Sequence, residues 1–322
     1  MSKRPRTLDS FFSPPPTKKS KAQVDGEEHY VAKGESGKSS IHPTYPFAIP
    51  HLPPELNDTL NFAPAEEARA INDQPHLDIL YYQPYVPKDV QRQLFEFLRG
   101  ELFFYRVKYM IKRGSVETLI NTPRYTTVFG IDETSKFDAD GQILDAESGK
   151  RLPADAYGCK PRPIPQCLDH LRALTENATG CTFNFALVNY YASGDDSISY
   201  HSDDERFLGK EPAIASFTLG AKRDFLLRHK KTAEGHLSES KPIKLPLASG
   251  DMVLMRGMTQ SNWEHSIPKR KGGEADKGRI NITFRRAMVR GGTANYYRYN
   301  VGDGAPLKWD SKRREMMPLT QG

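Results

Sequence analysis

Between Asn189 and Glu205 the chain reads NYYASGDDSISYHSDDE, a polar, strand-like run that ends in His201, Ser202 and Asp203 with two more acids behind them. Side chains alternate along an extended segment, so His201 and Asp203 point to one side and Ser202 to the other. An imidazole and a carboxylate placed this way can bind one cation, or they can sit in a solvated turn. A metal site needs a further ligand. His265 in NWEHSIPK, at the end of another strand-like run, can supply it.

Two histidines and one carboxylate leave three positions of an octahedral ion open, as in non-haem Fe(II) oxygenases. Zinc enzymes also use two histidines and an acid, so the triad alone does not name the metal. RINITFR (Arg279 to Arg285) bears on that choice. Its alternation puts Arg279, Asn281, Thr283 and Arg285 on one face, and Ile280, Ile282 and Phe284 on the other. The planar fork of arginine pairs with carboxylates bidentately. Six residues of extended strand span roughly 20 Å, so the two arginines would reach a small dianion from opposite ends. Asn189 and Tyr191, again two apart, add neutral donors. A solvent-exposed polar face, or a strand that binds phosphates, would read the same way.

The elements that must hold these residues are mostly strands. FNFALVNYY, SISYHSD, AIASFTLG, RDFLLRHK, KPIKLPLASGDMVLMRG, NWEHSIP and RINITFRRA follow one another with turn chemistry between them. Before them, PKDVQRQLFEFLRGEL places Val90, Leu94, Phe97 and Leu98 at helical spacing. PIPQCLDHLRALTENATG does the same with Cys167, Leu168, Leu171 and Leu174, and ends in Gly180. LDILYYQPYV, FFYRVKYMI and RYTTVFGI read as strands, and 132–157 as a polar insertion. The fold class expected is α+β: a double-sheet jelly-roll core with N-terminal helices packed on one sheet and a disordered N-terminal tail. The expected organisation is a disordered basic tail (1–45), a linker or extension (46–76), one domain (77–290) and a C-terminal extension (291–322).

Composition sets the bounds. Of 322 residues 37% are hydrophobic, Gly and Pro number 24 each, and net charge is +6. Mean hydropathy is −0.64 and pI near 9.0. This leaves one core of roughly 200 residues or more and favours a polyanionic partner. Three cysteines without a CxxC argue against a disulfide scaffold or zinc cluster. No apolar run approaches the roughly 20 residues of a membrane span, so a soluble, intracellular protein without membrane contact is expected.

Taken in order, Asn-x-Tyr, His-x-Asp, His and Arg-x-Asn-x-Thr-x-Arg resemble the AlkB family of Fe(II)/2-oxoglutarate-dependent dioxygenases, over roughly residues 77–290. The resemblance is to its DNA-repair branch. It implies a double-stranded β-helix, with Fe(II) on His201, Asp203 and His265, and with O2 and 2-oxoglutarate as cosubstrates. Asn189, Tyr191, Arg279, Thr283 and Arg285 would hold 2-oxoglutarate, and Asn281 would support that wall. The activity implied is oxidative removal of N-alkyl groups from DNA bases such as 1-methyladenine and 3-methylcytosine. An RNA demethylase, a clamp-associated adaptor that only binds, and a metal hydrolase are the alternatives. Asp204 and Glu205 fall where the repair members contact a cationic methylated base. Tyr157, then Phe129, are candidates for the aromatic platform of a flipped base, and Arg124 in NTPRYTTVFG for a phosphate contact. Lys112 to Ser115 fall where duplex-preferring members carry a base-wedging hairpin.

Two basic clusters, KRPR and PTKKSK, suit nuclear import. Between them Leu8, Phe11 and Phe12 form one face of a short helix, similar to the peptide that docks on the replication sliding clamp. Pro5 stands where that peptide usually has glutamine.

Overall fold

The computed structural model describes residues 38–62, 67–113, 116–231, 240–302 and 304–319. The basic clusters and the Leu8, Phe11, Phe12 face lie outside the described residues, as does the tip of the 112–115 turn.

Eleven strands build the core: β1 (Arg69–Ile71), β2 (Ile79–Tyr82), β3 (Tyr125–Gly130), β4 (Phe185–Tyr191), β5 (Ile198–His201), β6 (Ile214–Gly220), β7 (Arg223–His229), β8 (Ile243–Leu247), β9 (Met252–Met255), β10 (Trp263–Ile267) and β11 (Arg279–Arg285). Seven form one antiparallel sheet in the order β1-β2-β9-β6-β11-β4-β3, and four form a second in the order β5-β10-β7-β8. The result is mostly β, with the two-sheet core expected of a jelly roll.

Alternation gives the large sheet two unlike faces. On one, Ile280, Ile282 and Phe284 of β11 stand beside Tyr190, Val188 and Ala186 of β4 and Leu219, Phe217 and Ala215 of β6. All are buried, each large side chain contributing about 1.5–3 kcal/mol. Helix Gln91–Glu101 packs against β6 on this face, burying Leu94, Phe95 and Leu98. Helix Gln166–Thr179 adds Cys167, Leu168 and Leu171 to the same cluster and ends at Gly180, at φ 68°. The opposite face carries Asn189, Tyr191, Ser216, Thr218, Arg279, Asn281, Thr283 and Arg285. It is polar yet also buried, Arg279 being 1% and Arg285 2% exposed. A solvated face is therefore ruled out: the small sheet lies over these residues.

Both flanks of the expected domain belong to the folded unit. The 46–76 segment, read as a linker, carries a helix, Pro54–Phe62, and the edge strand β1. Its Ile49, Leu52, Leu56 and Leu60 are buried in the common core. Tyr45, within the stretch read as tail, is buried and donates to Pro163 O at 2.6 Å. Five prolines between 43 and 54 mask this order, because they break the periodicity by which elements are read. The 291–322 extension carries helix Ala294–Asn300 and the hairpin Leu307–Asp310/Glu315–Pro318. In FFYRVKYMI only the end is strand: Phe103 and Phe104 are core residues ahead of the hairpin Lys108–Arg113/Val116–Asn121. The 132–157 insertion holds a short hairpin of its own, Ser135–Phe137/Ile143–Asp145. Among the described residues no helix is long and apolar enough to cross a membrane.

Candidate metal and cosubstrate site

His201 ends β5 and His265 sits in β10, and the two are directly paired across the small sheet. Their ring centroids are 4.2 Å apart. Asp203, just past β5, brings Oδ1 to 4.0 Å from His201 Nε2 and Oδ2 to 3.7 Å from His265 Nε2. One donor atom from each of the three lies within 4.8 Å of the others, and all three residues are buried. His201 Nδ1 is 2.9 Å from Ser199 O. That bond takes the Nδ1 proton and leaves the Nε2 lone pair facing Asp203 and His265. Burial lowers the pKa of both imidazoles, His265 to about 3 with His201 adding to the effect, so both are neutral as metal ligands must be. Burial opposes the charge on Asp203, but positive charge beside it, that of Arg285 foremost, holds the carboxyl below its ordinary range.

The facing wall comes from β4, β11 and β6. Tyr191 pairs with Arg279 and Asn189 with Asn281; Thr218 also pairs with Asn281 and Ser216 with Thr283. Hydrogen bonds run along it. Arg124 Nε donates to Asn189 Oδ1 at 3.0 Å, and Asn281 Nδ2 donates to Ser216 Oγ at 2.9 Å and Phe217 O at 2.8 Å. Arg279 lies over the Tyr191 ring at 5.2 Å and donates one Nη2 hydrogen bond to Thr218 Oγ1 at 2.8 Å. Its Nε and Nη1 are buried and unpartnered. Burial lowers its pKa to about 10, so it remains a cation at neutral pH. Between wall and triad lies a cavity with about 510 Å³ of empty space, mouth included. Ile198, Phe225 and Ile267 form its apolar side.

At the other end of β11, Arg285 Nη2 stands 3.0 Å from Asp203 Oδ1, an ion-pair distance without hydrogen-bond alignment. Arg285 Nη1 donates to the Tyr296 hydroxyl, and that hydroxyl donates to Glu205 Oε1 at 2.6 Å. Burial, with Asp203 nearby, pushes the Glu205 carboxyl up to about 7. Asp204 Oδ2 accepts from Lys230 Nζ at 2.7 Å, while its Oδ1 is buried and unpartnered.

A profile of the 2OG-Fe(II) oxygenase superfamily matches residues 78–285, a span that begins just before β2 and ends with β11. This chain belongs to that superfamily. DNA oxidative demethylase ALKBH2 of Homo sapiens is 41% identical over 149 residues, covering 46% of this chain and 56% of its own length. Alpha-ketoglutarate-dependent dioxygenase alkB homolog 3 of Rattus norvegicus is 41% identical over 117 residues, 36% of this chain and 39% of its own. ALKBH2 of Arabidopsis thaliana is 37% identical over 142 residues, 39% and 44%. The chain thus spans about half the length of the curated relatives it matches. The AlkB resemblance read from the motifs is borne out by these relatives.

The residues present fit both groups in the superfamily's name. Fe(II) finds three neutral-or-anionic donors converging in a buried site, including an Asp203 oxygen with no hydrogen bond. 2-Oxoglutarate finds a buried cation with two free donor nitrogens beside a tyrosine.

The structure brings all nine residues expected of the metal and cosubstrate site around one cavity, with Arg285 turned to Asp203 and Tyr296, and Thr283 Oγ1 donating to Leu187 O at 3.2 Å; the substrate candidates divide. Asp204 and Glu205 follow Asp203, but neither lines the cavity: Asp204 is paired with Lys230 and Glu205 is bonded by Tyr296. Arg124 lines the cavity, but it is buried and bonded to Asn189 and Ser197 O rather than presented to a phosphate. Phe129 is wholly buried, edge-on to Tyr45 and Phe103. Tyr157 is buried too, its hydroxyl bonded to Asp132 and Ser135 at 2.8 Å, and it lines a separate cavity by the 132–157 insertion. Neither ring is offered to a flipped base. Sequence reasoning missed Thr218, Ser216, Lys230 and Tyr296. The first two had a signal, being polar residues at alternate positions of an otherwise apolar strand. Lys230 in RHKK looks like any solvated lysine, and Tyr296 lies beyond the matched span.

Proposed function

We propose that this chain is an Fe(II)/2-oxoglutarate-dependent oxidative demethylase of alkylated DNA bases, 1-methyladenine and 3-methylcytosine foremost. One observation carries the oxygenase reading: a buried, charged Arg279 with two unpartnered donor nitrogens opens on the same cavity as the triad. An unpaired buried cation is costly, and a carboxylate ligand removes that cost.

When bound, Fe(II) with O2 and 2-oxoglutarate supplies the oxidising power that hydroxylates an N-methyl group, which then leaves as formaldehyde. The chain's own part is geometric and electrostatic. His201, Asp203 and His265 would hold the metal from one side and leave the other to the cosubstrate. Arg279 and Tyr191 would take the far carboxylate of 2-oxoglutarate. Ile198, Phe225 and Ile267 keep water from that end of the cavity. Asn189, Asn281 and Arg124 brace the wall through their hydrogen bonds to one another and to β6.

The substrate class rests on relatives that include DNA oxidative demethylases and on the unpartnered Oδ1 of Asp204. The free oxygen of Asp204 favours a base that carries positive charge and an exocyclic amine over a neutral base. The N-terminal clusters suit nuclear import, and Leu8, Phe11 and Phe12 a sliding-clamp contact. A fluorescent fusion lacking residues 1–21 that still entered the nucleus would remove the first of these.

The test is formaldehyde and succinate release, with Fe(II) and 2-oxoglutarate, on matched DNA and RNA oligonucleotides bearing one 1-methyladenine. Faster turnover on DNA is expected. Turnover on RNA alone would reassign the substrate, and silence on both would overturn the nucleic-acid reading.

A further inference from the structure

The superfamily span ends at Arg285, yet the described fold continues, and its next helix reaches the site twice: Asn300 lines the cavity, and Tyr296 bonds to Arg285 behind it. Helix Ala294–Asn300 carries Tyr296, which is buried. Its ring lies under the Arg285 guanidinium, 4.9 Å from centroid to Cζ, and is held edge-on by Phe185 at 5.4 Å and Phe207 at 5.8 Å. Its hydroxyl stands between Arg285 Nη1 and Glu205 Oε1.

Asp203 has two oxygens and a choice of which to turn towards the imidazoles. Arg285 Nη2 beside Oδ1 biases that choice. Arg285 itself has two carboxyl groups near it, Asp203 directly alongside and Glu205 one hydroxyl away through Tyr296. Without the hydroxyl between them, the guanidinium is free to pair directly with Glu205 and leave Asp203. With it, Glu205 has a donor of its own and Arg285 is kept to Asp203 by both ring and hydroxyl. We propose that Tyr296, supplied from beyond the superfamily span, is a positioning residue that holds Arg285 against Asp203 and thereby sets the carboxylate for metal binding.

The inference rests on the metal-site reading above and concerns this chain's own residues, so it is tested by binding, with no nucleic acid present. The probe is Mn(II), titrated anaerobically into the full chain and followed by the loss of the free-ion EPR signal. Tyr296→Phe keeps the ring and removes the hydroxyl. Groups that orient a metal ligand typically affect metal affinity by 10–100-fold, and a loss of about tenfold is expected here. Tyr297→Phe is the control. That neighbouring hydroxyl donates to Gly130 O at 2.8 Å and accepts from Arg162 N at 2.8 Å, contacts that dock the helix without reaching the triad. It should bind Mn(II) as the unaltered chain does.

Equal affinity in Tyr296→Phe and the unaltered chain would overturn the proposal. So would an equal loss in both variants, because the effect would then come from helix docking. No Mn(II) binding by the unaltered chain would overturn the metal site itself, a distinguishable failure.

Discussion

The two ends of β11 present the same side chain in opposite circumstances. Arg285 and Arg279 share a strand face, and both are almost wholly buried. Arg285 is surrounded by anions and by a phenol, and its pKa is raised despite burial. Arg279 has a hydroxyl and an aromatic ring for company, no carboxylate within ion-pair reach among the described residues, and a lowered pKa. Folding has set a carboxylate beside Arg285, whose Nε alone stays unpartnered, and has left Arg279 with two unpartnered nitrogens and no carboxylate. The difference teaches where a ligand is expected in a protein without one. A buried ion that the fold has paired is structure, and a buried ion that it has left unpaired marks a binding site.

Stability gives the largest contrast between them. Arg285→Met strands Asp203 and Glu205 without their cation and should cost about 3–5 kcal/mol in denaturant melts, whereas Arg279→Met removes an unpaired charge and should be neutral or stabilising by about 1–4 kcal/mol. Equal destabilisation by both would erase the distinction. A smaller effect is expected at Asp204. Asp204→Ala should slow demethylation of 1-methyladenine DNA about 10–100-fold, through loss of a charged hydrogen bond of ~1.5–3 kcal/mol, while succinate formation without DNA persists. Equal loss of both activities would remove Asp204 from base recognition. The smallest effect belongs to Tyr157→Phe, which should cost about 1 kcal/mol of stability and leave turnover unchanged. A large fall in turnover would bring Tyr157 back as a substrate platform.

What could be read in advance follows the same division between strand and loop. On a strand, parity alone decides which residues share a face, so RINITFR and NYY disclosed the polar wall of the cavity. HSD with His265 disclosed the triad because both histidines lie on strands that pair. Off the strands no such rule acts. Tyr157 and Phe129 looked like platforms, but burial of a ring depends on what packs over it, here Asp132 and Ser135 for one and Tyr45 for the other. Tyr296 and Lys230 reach the site through contacts spanning 91 and 26 residues to Glu205 and Asp204, a separation no local pattern records. The order within the 46–76 segment was hidden for a different reason, since proline obscures periodicity without preventing burial.

The claim on which the rest depends is that Arg279 is left unpaired for 2-oxoglutarate. Isothermal titration of 2-oxoglutarate into the Mn(II)-loaded chain tests it, with Arg279→Met alongside. The account predicts binding by the unaltered chain, weakened about 10–100-fold by the substitution through loss of charge-assisted hydrogen bonds, with Mn(II) affinity unchanged. Undiminished 2-oxoglutarate binding by Arg279→Met would contradict it.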